Sequence, residues 1–490
     1  MSKPVARSGP GTWYEPAPVS FLARSPSYPG MIVGTVCIGA FMGQLDASIA
    51  QLVLPELETE FQTRVSAVSW VAVAYLLTVA ALLPIFGRLA DLMGRKLLYC
   101  GGFLLFIFGS ALCGFAPDLP ALVAARVFQG VGAALAQANS VAIILAAVGD
   151  RRRGRAIGVQ AAAQAVGLSA GPALGGLLIS SLGWRWVFFI NVPVGLLGTI
   201  LGLLILPQTR REAVTARFDW GGAILLAPAP TALMTALNEA ARWGLASPAL
   251  IACLLLALGC LAGFIWRELK SKSPLLDLSL FRDLGFSAGN LAGLLASGTL
   301  FGVFFLLPFA FERIYRLSPL EAGLRLTVIP ITIGCLAPLS GRLSDRLGPR
   351  ALTVGGMLAI LAGLLLLLAA LDGSPDMLWL VTLALAVFGI GQGLFTAPNN
   401  SAIMASVPES ETGEAGGLLN LMRSLGTSTG IAAAAAVLSW QLAALPGHSL
   451  GTLHAPRSDL IAASHAVIAV FAGFALVAGA ASLVPGRGAA

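Results

Sequence analysis

Fourteen long apolar runs divide this sequence, and they restrict its fold more than any other feature. They lie at about 31–54, 66–87, 97–116, 120–148, 156–181, 186–206, 219–239, 248–266, 285–311, 320–341, 351–371, 377–405, 414–440 and 461–484. A helix needs roughly 20 apolar residues to cross a bilayer. Backbone polar groups in lipid must be satisfied within their own segment, so runs of this length are predicted to be helices. Only 11% of the 490 residues are charged, where a soluble domain carries about 25%. The chain lacks the polar residues to clothe a water-soluble body of this size. The expected fold class is an all-α, multi-pass membrane protein.

Positive charge sets the expected orientation, because Lys and Arg favour cytoplasmic connections. With the N-terminus inside, 21 of them fall in cytoplasmic segments and 6 in outer ones, while Arg126, Arg325 and Arg423 remain within spans. Both ends are then cytoplasmic, as an even number of helices requires. The net charge of +7 belongs to these loops and gives no pointer to nucleic acid. Residues 1–30 are proline-rich and read as a disordered tail. No small-residue cleavage site follows a short apolar core, so the first span reads as an uncleaved anchor. Cys37, Cys100, Cys113, Cys253, Cys260 and Cys335 all lie inside apolar runs and read as packing residues. No disulfide, metal site or cofactor is expected. His448, His454 and His465 have no metal-ligand neighbours. A paired-Asp motif, a His pair at i,i+4 and a glycine-rich phosphate loop are all missing from the sequence, which counts against a membrane-embedded enzyme and an ATP-driven pump.

The chain also repeats itself. The segment GRLADLMGRK at 87–96 recurs as GRLSDRLGPR at 341–350, offset by 254 with five of ten positions identical. GLSAG at 167–171 recurs as GTSTG at 426–430, offset by 259. Two echoes at nearly one offset predict two related six-helix halves with two extra helices between them. Parallel repeats of this kind build transporters whose site lies at the repeat interface. The expected division is a tail over 1–30, a six-helix bundle over 31–206, two linker helices and a cytoplasmic loop over 207–284, a second bundle over 285–484 and a short tail over 485–490.

A few residues carry chemistry. Asp46, in the first run, is the one acid placed deep in the membrane. An unpartnered carboxylate in such surroundings favours its neutral form. It could accept a proton at one face and release it at the other, or pair as an anion with a cation. Arg126, in the fourth run, is followed by Gln129 and Gly130. A charge there costs several kcal/mol, so Arg126 faces a polar cavity or a carboxylate, or snorkels to the interface. The fifth run carries Gly158, Gly167, Gly171, Pro172, Gly175 and Gly176. Gly167, Gly171 and Gly175 share one helix face, which permits close helix approach, and Pro172 can kink the helix. In the loop motif, Gly87 and Gly94 permit a tight turn. Asp91 suits a helix N-terminus, and Arg95 and Lys96 pair with it and with lipid phosphates. Glu312, near the outer end of the ninth run, reads as a second protonatable group or as a partner of Arg313 or Arg316. Glu321 and Arg325 are spaced for a local i,i+4 pair.

Together with Trp184-Arg185-Trp186, Asn191-Val192-Pro193 and the run from Asp46 to Leu54-Pro55, these motifs resemble the major facilitator superfamily, specifically its fourteen-helix drug:proton antiporter branch, over about residues 31–484. The resemblance implies a 6 + 2 + 6 fold that rocks between inward- and outward-facing states, with the 87–96 loop and its copy at Asp345 and Arg346 latching one of them. It implies a role in proton coupling for Arg126, an exporter's gate on the fifth helix, and a matching arginine at Arg423. Two positions depart from the pattern: Leu92 stands where the family has Arg, and Glu312 where it usually has Gln. The expected function is proton-coupled antiport of small lipophilic or cationic compounds, a multidrug efflux activity in a bacterial cytoplasmic membrane. Small molecules, protons and membrane lipid are the expected partners, with a periplasmic adaptor left open. The rival readings are a dedicated exporter of one metabolite, lipid or antibiotic, a non-transporting sensor, and a membrane enzyme.

Overall fold

A computed structural model describes residues 15–148, 153–208, 219–244, 246–271, 275–408, 411–444 and 451–484, without the side chains of Asp91, Leu92 and Asp345. Among these residues fourteen helices are long and apolar enough to cross a membrane: α1 Tyr28–Leu52, α2 Val65–Ala90, α3 Arg95–Gly114, α4 Leu119–Ala147, α5 Arg153–Leu182, α6 Trp186–Ile205, α7 Trp220–Trp243, α8 Pro248–Lys270, α9 Leu284–Ile314, α10 Pro319–Ser344, α11 Pro349–Ala370, α12 Pro375–Ala405, α13 Glu414–Ala443 and α14 Arg457–Ser482. Each corresponds to one apolar run, and no strand occurs among the described residues.

The packing map repeats with a shift of eight helices. Helix α1 packs on α5 and α6, α3 on α4 and α6, and α2 on α4. In the same way α9 packs on α13 and α14, α11 on α12 and α14, and α10 on α12. Small residues make the closest of these contacts. Gly167 lies against the α1 backbone at Phe41 and Leu45, and Gly171 against Ser48 and Ile49. Their counterparts Gly426 and Gly430 lie against Leu294 and Gly298 of α9. In lipid, where apolar surface gives no drive to associate, such backbone approach supplies the packing energy.

The two sets of six meet along α2–α13 and α5–α10. The end carrying the 53–64 connection is termed distal, and the end carrying the tails proximal. Distally, Gly176 of α5 faces the backbone of Pro319 and Leu320, and Gly323 of α10 faces Pro172. Toward the proximal end, Gly158 of α5 and Gly334 and Gly341 of α10 have nothing within 4 Å of the space a side chain would take. This seam is tight distally and slack proximally. Helix α7 packs on α2 and α13, and Ser69 of α2 donates to Asn238 of α7 at 3.2 Å, both fully buried.

The disordered tail expected through residue 30 is corrected. Residues 1–14 lie outside the described residues, but from Glu15 the chain is packed. Lys96, buried at the start of α3, donates from Nζ to the carbonyls of Pro16 (2.7 Å), Leu203 (2.9 Å) and Leu206 (2.8 Å). The Val19 amide donates to the Leu204 carbonyl at 2.9 Å. Composition suggested disorder because the group that orders the segment lies 80 residues away. Lys96→Met is expected to cost at least about 1.5–3 kcal/mol, the worth of one hydrogen bond to a charged group. Thermal unfolding of the purified protein measures it, and an unchanged midpoint would show that the tie is idle.

A buried ion pair as candidate functional site

Helical periodicity turns the charged side chains inward. On α1 the buried residues include Met42, Leu45, Asp46, Ile49 and Leu52. On α4 they include Leu122, Ala125, Arg126, Gln129 and Ala133. These spacings of three and four define one face of each helix. Asp46 and Arg126 follow the same period as the apolar residues around them, and they meet.

Arg126 donates from a terminal nitrogen to Asp46 Oδ2 at 2.7 Å, with the two side chains 1% and 0% exposed. The same nitrogen donates to Gln129 Oε1 at 2.7 Å, and Arg126 Nε donates to the Val71 carbonyl at 2.9 Å. Asp46 Oδ1 accepts from Gln129 Nε2 at 2.9 Å and from Asn191 Nδ2 at 2.8 Å. Both amides also donate to Ser110 Oγ, which donates in turn to the Phe188 carbonyl. The Arg126 guanidinium lies 4.2 Å from the Tyr75 ring centroid, a cation–π contact. The cluster thus draws on α1, α2, α3, α4 and α6. Two polar atoms in it have no partner, Tyr75 Oη and Asn191 Oδ1.

The carboxylate is therefore not isolated, and Arg126 does not snorkel. Removing one member of such a pair strands a buried charge, at about 3–5 kcal/mol. Asn191, Ser110 and Tyr75 were not singled out as site residues. Ser110 and Tyr75 leave no trace in the sequence beyond a polar group inside an apolar run, and Asn191 enters only through the motif that carries the family resemblance. Among the described residues the second half shows no equivalent buried pair. Gly171 meets α1 at Ser48 and Gly430 meets α9 at Gly298. Two residues before these contacts stand Asp46 and Ala296, and there Gln392 of α12 donates to the Ala296 carbonyl at 2.9 Å.

The other expected residues lie apart from this cluster. Gly130 sits against Thr78 and the Tyr75 carbonyl of α2. Gly175 meets Ile49 of α1, whereas Gly158 faces open space. Gly87 is open, and Gly94 adopts φ +109°, matched by φ +81° at its repeat counterpart Gly348. Only glycine adopts such values freely. Lys96 is turned to the carbonyls described above, Arg95 is half-buried and Arg346 exposed. The side chains of Asp91 and Asp345 lie outside the described residues. Glu312 sits in a π-helical turn, Ala310–Ile314, and its Oε1 has no hydrogen-bond partner. Arg313 beside it donates instead to the Pro55 carbonyl (2.8 Å) and to Thr59 Oγ1 (2.6 Å). Arg423 donates to Asn420 one turn away at 3.0 Å. Among the described residues no three His, Cys, Asp or Glu side chains gather as metal ligands would.

A fourteen-helix body repeated in two halves, with a buried charge pair inside the first, has the build of a multi-pass membrane transporter rather than of an enzyme. The family model for the Major Facilitator Superfamily matches residues 36–431, and the chain belongs to that family. It is 37% identical over 402 residues to the riboflavin transporter RibZ of Clostridioides difficile, covering 81% of this chain and 85% of the relative. It is 33% identical over 414 residues to the multidrug resistance protein Stp of Mycobacterium tuberculosis, covering 84% and 76%. It is 32% identical over 401 residues to the tetracenomycin C resistance and export protein of Streptomyces glaucescens, covering 81% and 73%. Among solved structures, an inward-facing, unoccupied bacterial homologue of the human lysosomal transporter Spinster superposes with a TM-score of 0.65 at 16% identity, covering 94% of this chain and 98% of that one.

Proposed function

We propose that this chain is a proton-coupled exporter of small lipophilic or cationic compounds, working by alternating access in a bacterial cytoplasmic membrane with its distal face outward. The observation that supports this most is the Asp46 carboxylate, held by one cation and flanked by the unpartnered Tyr75 Oη and Asn191 Oδ1. A proton on Oδ2 takes the place of Arg126. The guanidinium then keeps the Val71 carbonyl, Gln129 Oε1 and the Tyr75 ring as partners. The pair is closed off from solvent in this form; in a form that opens the cluster a cationic ligand competes for the same oxygen, so proton and ligand exclude one another, and exclusion at one carboxylate suffices for antiport. The seam that is slack proximally and tight distally suits loading from the cytoplasm, with the first half carrying the pair as the two halves rock against one another. The names of the Stp and tetracenomycin relatives fit export.

A second reading, a carrier dedicated to one compound, draws support from the riboflavin transporter at 37% identity. Proteoliposomes under an imposed pH gradient separate the two. The first reading expects several unrelated lipophilic cations to move against the proton gradient. Movement of riboflavin alone, or transport indifferent to collapse of the gradient, would overturn it.

A further inference from the structure

The mechanism proposed above leaves unused a second buried carboxylate. Glu58 lies on the short helix Leu54–Glu60 that follows α1, and it is fully buried. It accepts a hydrogen bond from the Thr452 amide at 2.7 Å and another from Thr452 Oγ1. Thr452 belongs to the connection between α13 and α14, 394 residues away in sequence. Arg313, at the end of α9, approaches Glu58 to 3.8 Å and itself reaches across to Pro55 and Thr59. Gly451 also lies against this carboxylate, close enough that a side chain there would press on Oε1. Glu58 is thus the point where the first half, α9 and the 451–456 connection close on one another at the distal face. The carboxylate is sealed from solvent in this form, and opening the distal face would return it to solvent.

We infer that Glu58 is a proton-sensitive latch of the distal face: the face closes over the neutral carboxyl, and ionisation of Glu58 at higher external pH loosens it. The titratable groups that act on it are Arg313 on α9 and His454 in the 451–456 connection, while Glu56 and Glu60 share its helix and Arg64 caps the start of α2. Burial pushes Glu58 above the ordinary carboxylate range, although Thr452, Arg313 and His454 each pull it back. Once open to water, the group returns to its ordinary range. Closure therefore takes up a proton from the outside, and the closed form gains from low pH and loses as pH rises through the raised value. The neutral carboxyl keeps Oε1 as acceptor for the Thr452 amide and turns Oε2 into a donor to Thr452 Oγ1. In an exporter driven by external protons, this bias favours the return of the empty carrier to its cytoplasm-facing form. The inference rests on alternating access and not on Asp46 as proton carrier.

The test is amide exchange of the 451–456 segment in the full chain, reconstituted in lipid nanodiscs and corrected for the intrinsic pH dependence of exchange. Protection is expected to be greatest at low pH and to fall as pH rises through the raised value of Glu58. Glu58→Gln, which keeps both hydrogen bonds without a titrating group, is expected to remain protected throughout. Arg313→Gln removes a charge that favours ionised Glu58, so its transition moves to higher pH. His454→Gln keeps the transition. A wild-type profile that is flat, a Glu58→Gln profile that still falls, an unmoved transition in Arg313→Gln, or a transition abolished by His454→Gln would each overturn the inference. Should Glu58→Gln fail to fold, the direction of the Arg313→Gln shift decides alone. Loss of the Glu58 response with proton-driven efflux intact strikes this inference only. The reverse pattern strikes only the reading of Asp46.

Discussion

Asp46→Leu is expected to abolish proton-driven efflux and to destabilise the protein by about 3–5 kcal/mol, because it leaves the Arg126 guanidinium buried without its counter-ion. The two effects have separate origins, and further variants separate them. Asp46→Asn keeps a polar side chain among Gln129, Asn191 and Ser110, so its loss of stability is smaller. It carries no exchangeable charge, so its loss of coupling is as complete. Combining Asp46→Asn with Arg126→Gln removes the stranded charge, and stability returns toward wild type while coupling does not. In a double-mutant cycle the two sites then couple, as residues in direct contact do. Unfolding of the purified variants gives the stabilities, and efflux from proteoliposomes under a pH gradient gives the coupling. Full proton-driven efflux by Asp46→Asn would end the central assignment.

Gly167→Val is expected to disable the carrier through packing alone. A side chain at Gly167 meets the Phe41 carbonyl and the Leu45 amide nitrogen, which are helix backbone and cannot rotate away. Overpacking of this kind costs about 1–3 kcal/mol and sometimes more. The α1–α5 contact would have to part, and α1 is the helix that positions Asp46. Gly158→Ala is the matched control, in the same helix and the same motif but with nothing within 4 Å. Its stability is expected to stay within about 0.5 kcal/mol of wild type. Equal losses of stability and efflux in the two variants would show that the motif acts by something other than close approach.

The helix count was legible because hydropathy in lipid is a one-dimensional signal that needs no partner. The inward aim of Asp46 and Arg126 was legible for a related reason, since each shares the three- and four-residue spacing of its apolar neighbours. What surrounds them was not. Asn191 lies 145 residues from Asp46, and no local pattern distinguishes an asparagine that caps a carboxylate from one that opens a helix. Glu58 and Thr452 were silent for the same reason. Neither stands out beside Glu56 or Glu60, and only tertiary closure buries one of the three. Lys96 shows the same limit from the other side. A motif suggested a loop contact, and nothing local announced the three main-chain carbonyls that Lys96 reaches.

The glycine contacts of α5 on α1 and of α13 on α9 also bear on where flexibility can reside. Those at Gly167, Gly426 and Gly430 bring main chain against main chain, so few side-chain rotamers are frozen when they form. Such joints should hold as stiff struts across the working temperature range, with little entropy to regain by parting. Deformation during a transport cycle is then left to the faces built from longer side chains, α2 on α13 and the slack stretch of α5 along α10. Each half would turn as a solid piece, and the lubricated surfaces would be those between the halves.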